Sequence, residues 1–152
     1  MLDALDFAGR TVLVVGGSSG IGNGIARAFL AHGAEVHVWG TRAAATDYAG
    51  VEGSDLNGLH YAQVDVSDRG AVQSVVPAFQ RLDVLVLCQG TVLYKRGEFQ
   101  AEGFRKVVEI NLTSLMDCSM RFFDMLKAAS GCLITVSSTA AFHATRGNPA
   151  YN

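Results

Sequence analysis

Four features of this chain could do chemistry, and they occur in a set order. They are the run Gly16-Gly17-Ser18-Ser19-Gly20-Ile21-Gly22, then Asn111, the pair Ser137-Ser138, and Tyr151. The glycine run suits a phosphate. Glycines allow positive φ and close backbone approach. A helix N-terminus behind them offers N–H groups and a positive dipole end. Ser18 and Ser19 carry hydroxyls that can donate to phosphate oxygens. The bland alternative is a tight strand-to-helix turn. No Gly-Lys-Ser/Thr follows, which disfavours a nucleoside-triphosphatase loop. The other residues also have ordinary readings: Asn111 a polar group at a helix kink, Ser138 a turn hydroxyl, Tyr151 an amphipathic surface residue.

These residues need elements to hold them. Thr11–Val15 reads as a buried strand and Ile21–His32 as a helix, with Ile21, Ile25, Phe29 and Leu30 apolar at helical spacing and Gly33 as its C-terminal cap. Glu35–Trp39 and Leu59–Gln63 read as the second and third strands. Asp68 can cap a helix running to about Phe79. Asp83–Cys88 is the fourth strand, Ala101–Ala129 a long helical region bent near Gly103, and Leu133–Val136 the fifth strand. Ala43–Gly58 is weakly patterned, a loop or a poor helix. Strands apolar on both faces and separated by helices imply a parallel sheet covered on both sides. The expected class is therefore α/β, a Rossmann-like, doubly wound, three-layer α/β/α sheet in one domain over residues 1–152.

Composition excludes several functions. At 152 residues the chain can bury a substantial core, and its residues are 49% hydrophobic and 17% charged. That apolar excess suits surface hidden against a further segment or a partner subunit. The net charge is −2, from 12 basic and 14 acidic residues, with no basic block to draw nucleic acid or an anionic membrane. Apolar runs such as Val84-Leu85-Val86-Leu87-Cys88 are too short to span a bilayer. Asp3 and Asp6 near the start, without a basic region, do not read as a secretory signal. Cys88, Cys118 and Cys132 lie in apolar runs and read as reduced core thiols of a cytoplasmic protein. His32, His37, His60 and His143 are scattered along the chain, and no metal site is expected.

Val15-Gly16-Gly17-Ser18-Ser19-Gly20-Ile21-Gly22 resembles the Thr-Gly-x-x-x-Gly-x-Gly motif of the short-chain dehydrogenase/reductase family, with Val15 in place of the Thr. The resemblance runs from Leu5 to Tyr151 and is nearest to 3-oxoacyl-reductase-like members. It implies a dinucleotide on Gly16, Ser18, Ser19, Gly20, Ile21 and Gly22, with Asp65 and Val66 against the adenine. Asp65 has a strand-end turn residue as its alternative reading. The family's Asn-Asn-Ala-Gly segment appears as Leu87-Cys88-Gln89-Gly90, in which only the Gly survives. Cys88 and Gly90 are then placed beside the nicotinamide ribose.

Reducing a carbonyl needs a donor that orients its oxygen, a proton for the developing alkoxide, and a proton donor tuned towards neutrality. In the resembled family Ser, Tyr and a nearby Lys supply these, and an Asn holds a water relay. Ser138 and Tyr151 are 151 − 138 = 13 residues apart, the family's spacing, so the resemblance assigns Ser138 to the substrate oxygen and Tyr151 to the proton. Asn111 in Glu109-Ile110-Asn111-Leu112 matches the relay Asn. The family's Lys, four positions past the Tyr, would fall after Asn152. An isolated Tyr titrates at about 10 and is a poor proton shuttle at neutral pH. The expectation is a chain truncated before its C-terminal strands and helices, inactive alone, with an unpaired edge left on the first strands.

An acid at the end of strand two would favour NAD by bonding the ribose 2′-OH. Here Val38-Trp39-Gly40-Thr41-Arg42 has none. Thr41 can donate to, and Arg42 can pair with, a 2′-phosphate. NADP is therefore the expected cofactor, NAD the alternative. Substrate-facing candidates are Tyr94-Lys95-Arg96 after strand four and Phe142, His143, Thr145 and Arg146 before Tyr151; Lys95 or Arg146 could meet an anionic ketone or alcohol. The helix Phe104–Leu126 carries more apolar residues than one core-facing stripe needs: Val107, Val108, Leu112, Leu115, Met116, Phe122, Phe123 and Met125. The resemblance implies a homodimer or homotetramer through it. Two other readings remain: a dinucleotide-binding regulatory or scaffold protein without turnover, and a nucleotide-binding methyltransferase, which leaves Ser138 and Tyr151 unexplained.

Overall fold

A computed structural model describes residues 5–143 and 146–152. Five strands form one parallel sheet in the order β3-β2-β1-β4-β5. They are β1 (Thr11–Val15), β2 (Glu35–Gly40), β3 (His60–Gln63), β4 (Val84–Leu87) and β5 (Cys132–Thr135). The helices are α1 (Gly20–Ala31), α2 (Arg69–Ser74), α3 (Ala101–Val108) and α4 (Ser114–Ala129).

The alternation of β1 decides the layers. Val12 and Val14 face α1 with Val36, Val38, Val84 and Val86, packed on Ile25, Ala26, Phe29 and Leu30. Leu13 and Val15 face the other way, with Leu85, Leu87, Val72, Cys118 and Phe122. The sheet thus carries helices on both faces, as expected of the three-layer class. Each fully buried Val or Leu contributes about 1.5–3 kcal/mol, so β1 and β4, whose apolar residues are all buried, anchor the core. Their N-terminal ends are tied by a buried carboxylate. Asp83 accepts two bonds from Arg81 Nε at 3.0 Å each, one from Arg81 NH2 at 2.7 Å, one from Arg10 at 2.8 Å and one from the Thr11 N–H at 3.1 Å.

Several expectations are corrected. The second helix stops at Ser74, not near Phe79. Pro77 bars Val76 from helical φ/ψ and would clash one turn back. Past the helix Val76 is exposed and Phe79 is buried on the core. The long helical region breaks its regular pattern not at Gly103 but at a π-helical turn, Glu109–Thr113. Gly103 serves contact instead, because a Cβ there would stand 2.1 Å from the Gly97 carbonyl oxygen. The edges of the sheet are β3 and β5, and on β5 Leu133 and Ile134 are exposed, the unpaired edge that was expected. Cys118 is a core thiol, Cys88 is half-buried and Cys132 is exposed on β5. Ile21 is 72% exposed and stands outside the buried stripe of α1.

The α3–α4 run has two apolar faces. Val107 and Phe122 are buried, while Leu112, Met116, Met120 and Phe123 are exposed along the opposite side. Among the described residues no helix is long and apolar enough to cross a membrane. The histidines are less scattered than their sequence positions imply. Parallel register sets His37 against His60, and Glu35, His37 and His60 bring one ligand atom each within 4.8 Å of one another, with His37 Nε2 and Glu35 Oε1 3.0 Å apart.

Candidate active site

The carboxyl ends of β1, β2 and β4 meet at the glycine run. Gly16 takes φ +74°, and a Cβ there would lie 2.8 Å from the Gln89 backbone. The turn after β1 therefore rests directly on the end of β4. A Cβ on Gly22 would stand 2.1 Å from the Gly16 carbonyl oxygen, so only a hydrogen lets α1 start this close to β1. Ser19 is the N-cap of α1, and its side chain makes no cap bond. The helix dipole points out of this turn, and the exposed Ile21 stands at its mouth.

The weakly patterned segment after β2 closes over this turn. It forms a short 3-10 turn, Ala45–Tyr48, and a loop. The Gly20 N–H donates to Gly53 O at 2.8 Å, and Ser54 Oγ donates to Ser18 O. Asn23 is buried and joins both sides: its Nδ2 donates to Gly17 O and Asp55 O, and its Oδ1 accepts the Asp55 N–H at 3.0 Å. No sequence pattern marked this contact, because each of its bonds has a backbone group as at least one partner.

Tyr48 decides the end of β2. Its side chain is 5% exposed, and a Cβ on Gly40 would come 2.6 Å from its hydroxyl and 2.5 Å from Ser18 Oγ. An acid at position 40 therefore has no room. Ser18 turns to Tyr48. Burial pushes the Tyr48 phenol up, but hydrogen bonds with Ser18, the Arg42 N–H, Tyr61 and Thr41 prevail and hold it below its ordinary value. Thr41 and Arg42 are exposed. The Arg42 guanidinium stacks 4.6 Å over the Tyr48 ring and donates to Asp47 O, so it is held at the end of β2.

At the end of β3, Asp65 Oδ1 accepts the Ser67 N–H at 2.9 Å and Ser67 Oγ at 2.7 Å, a turn of its own making. Val66 is buried in the core. After β4, Cys88 continues the ladder by donating to Val15 O at 3.0 Å, and burial raises its thiol pKa. Gly90 is exposed and faces Asn111, whose Oδ1 would lie 3.8 Å from a Cβ there. Asn111 sits in the π-helical turn and clamps Thr91 twice, accepting its N–H at 2.8 Å and donating to its carbonyl at 2.9 Å. Such turns interrupt helices where function needs a carbonyl or side chain redirected.

Ser138 lies just past β5 and caps a short 3-10 turn, its Oγ accepting the Ala140 N–H at 3.2 Å. Tyr151 is half-buried, and its N–H bonds Asn148 O at 3.2 Å and Glu98 Oε2 at 3.1 Å. The three expected catalytic residues are thus held by different neighbours. Lys95, Arg96, Phe142, His143 and Arg146 are exposed; Thr145 lies outside the described residues. Glu98 and Tyr48 are the residues that sequence reasoning missed. A lone acid and a lone aromatic in unpatterned stretches give no periodic signal.

This arrangement can hold a phosphate-bearing ligand at the strand ends. Similarity to known proteins agrees. The family model for short chain dehydrogenase matches residues 10–152. The 3-oxoacyl-[acyl-carrier-protein] reductase FabG of Chlamydia pneumoniae is 34% identical over 161 residues, covering 97% of this chain and 62% of that protein. The 2-dehydro-3-deoxy-L-rhamnonate dehydrogenase (NAD(+)) of a Sphingomonas species is 30% identical, covering 94% and 58%. The Pseudomonas aeruginosa RhlG/NADP active-site complex superposes with a TM-score of 0.82 at 28% identity, covering 99% of this chain and 63% of that one. The chain spans about 60% of the length of the curated relatives it matches. On its glycine turn, its sheet order and the match over residues 10–152, the chain belongs to the short-chain dehydrogenase family.

Proposed function

We propose that this protein is an NADP-dependent oxidoreductase that interconverts a ketone and a secondary alcohol. The observation that carries the proposal is the glycine cradle, in which a Cβ on Gly22 would stand 2.1 Å from Gly16 O. Backbone packed that closely, at the mouth of a helix and on the end of β4, suits a dinucleotide diphosphate. Gly16, Ser19, Gly20, Ile21 and Gly22 hold the diphosphate, and Asp65 and Val66 flank the adenine. Thr41, Arg42 and the Ser18–Tyr48 pair receive the 2′-phosphate, since position 40 cannot seat the acid that would select NAD. Cys88 and Gly90 line the nicotinamide ribose. When bound, NADP supplies or accepts the hydride.

The remaining work belongs to side chains of this chain. Ser138 orients the carbonyl oxygen through its hydroxyl. Tyr151 donates the proton to the developing alkoxide in reduction and takes it back in oxidation. Asn111, clamped on Thr91, holds the proton relay behind Tyr151 and the loop after β4 in place. The exposed stripe Leu112, Met116, Met120 and Phe123 covers itself against a second copy of the chain, giving a homo-oligomer.

The test is NADPH consumption by the complete gene product with a panel of ketones that includes 3-oxoacyl thioesters. Turnover should appear, and Tyr151→Phe should lower kcat by roughly 10²–10⁴-fold, the range for loss of general acid catalysis. NADPH binding without turnover on any substrate would favour a cofactor-binding protein without chemistry. An unchanged rate in Tyr151→Phe would remove Tyr151 from the mechanism.

A further inference from the structure

Glu98, in the turn between β4 and α3, is 1% exposed. A carboxylate so far from water is costly unless donors meet its lone pairs. Four do. Its Oε1 accepts the Leu93 N–H at 3.1 Å and Asn148 Nδ2 at 3.2 Å. Its Oε2 accepts the Ala150 N–H at 2.9 Å and the Tyr151 N–H at 3.1 Å. Burial pushes the carboxyl pKa up, but these hydrogen bonds outweigh it and hold the group below its ordinary value.

The donors come from two places. Leu93 belongs to the loop leaving β4, while Asn148, Ala150 and Tyr151 belong to the segment that presents the phenol. That segment is a helical turn: Asn148 O accepts the N–H groups of Tyr151 and Asn152 at 3.2 Å each. The first N–H groups of a helical turn need an outside acceptor. Glu98 provides it from another part of the chain for the Ala150 N–H, and shares the Tyr151 N–H with Asn148 O. Asn148 Nδ2 also reaches Leu93 O at 3.3 Å, closing the clasp.

We propose that Glu98 is a positioning residue that sets Tyr151 by capping the turn carrying it and anchoring that turn to the loop after β4. The proposal rests on the reading of Tyr151 as the proton donor. It requires a carboxylate, because all four partners are donors. Glutamine keeps one acceptor oxygen and turns an NH₂ towards two N–H groups. It therefore loses two bonds and adds a repulsion. Aspartate keeps the charge but falls one methylene short.

The experiment compares Glu98→Gln, Glu98→Asp, Asn148→Ala and Tyr151→Phe in the complete gene product, at a temperature where circular dichroism shows each variant folded. A catalytic group displaced by about 1 Å can lose about a hundredfold in rate. Glu98→Gln should therefore lower kcat by about that factor and leave the KM for NADPH unchanged, since the diphosphate is held at β1. Glu98→Asp should recover part of the loss, and Asn148→Ala should lower kcat by a smaller factor. If Glu98→Gln does not fold, the other two variants carry the comparison. The positioning role is overturned if Tyr151→Phe abolishes turnover while the folded Glu98 and Asn148 variants keep the parent kcat. A Tyr151→Phe variant with the parent rate would remove the premise, and the role of Glu98 with it.

Discussion

Replacing Gly40 by alanine probes the end of β2 with a single methyl group. The new Cβ would stand 2.5 Å from Ser18 Oγ, 2.6 Å from the Tyr48 hydroxyl and 2.7 Å from Ser18 Cβ. Ordinary contact begins at 3.4 Å, so the overlaps are 3.4 − 2.5 = 0.9 Å, 0.8 Å and 0.7 Å. Neither neighbour yields easily. Ser18 is buried in the glycine turn, and Tyr48 is wedged between the Arg42 backbone and Tyr61. Overpacking of this kind costs about 1–3 kcal/mol. For a domain of this size that lowers Tm by about 2–4 °C per kcal/mol. The assay is thermal unfolding of Gly40→Ala, Ser18→Gly and the double variant, each with NADPH titration. The double variant removes both Ser18 overlaps, so it should recover stability beyond simple addition, with a coupling of about 0.5–3 kcal/mol. Gly40→Ala should also bind NADPH more weakly, and Gly40→Asp should lose NADPH without gaining NAD. Strict additivity, or a Gly40→Ala protein as stable as its parent, would refute the reasoning.

Two further outcomes follow from the packing. The Arg81 guanidinium, with the Thr11 N–H and Arg10, holds the Asp83 carboxyl well below the usual carboxylate range against the opposing effect of burial. A depressed folded pKa gives stability that is full above the unfolded value of about 3.9 and is lost as pH falls below it. Urea unfolding should show that loss in the parent. Asp83→Asn should be weaker at neutral pH by about 2 kcal/mol and flatter below pH 4; matching pH slopes would count against the assignment. On the proposed homo-oligomer, Met116→Glu, on the exposed stripe of α4, should lower the molar mass seen by light scattering, and an unchanged mass would count against this face as a subunit contact.

The linear pattern carried the architecture because burial on both faces of a parallel sheet writes itself as short, continuous apolar runs. Thr11–Val15 and Val84–Leu87 were legible for that reason, and the order of Gly16–Gly22, Asn111, Ser138 and Tyr151 was legible because spacing along the chain survives folding. Local steric rules were partly legible. Pro77 was present to end α2 at Ser74, yet Val75 and Phe79 extend the apolar pattern beyond it, since they pack on the same core without being helical.

What only the tertiary structure decided are contacts between segments distant along the chain. Parallel register alone sets His37 beside His60. Close approach of Ser18 and Tyr48 to β2 explains why position 40 is glycine, a fact that the sequence showed only as a missing acid. Glu98 reaches Tyr151 across more than fifty residues through backbone N–H groups, which every residue type carries. Hydrophobic periodicity is a property of neighbours in sequence and can be read there. Hydrogen bonds to a buried carboxylate depend on which backbone arrives beside it, and that is settled only when the chain has folded.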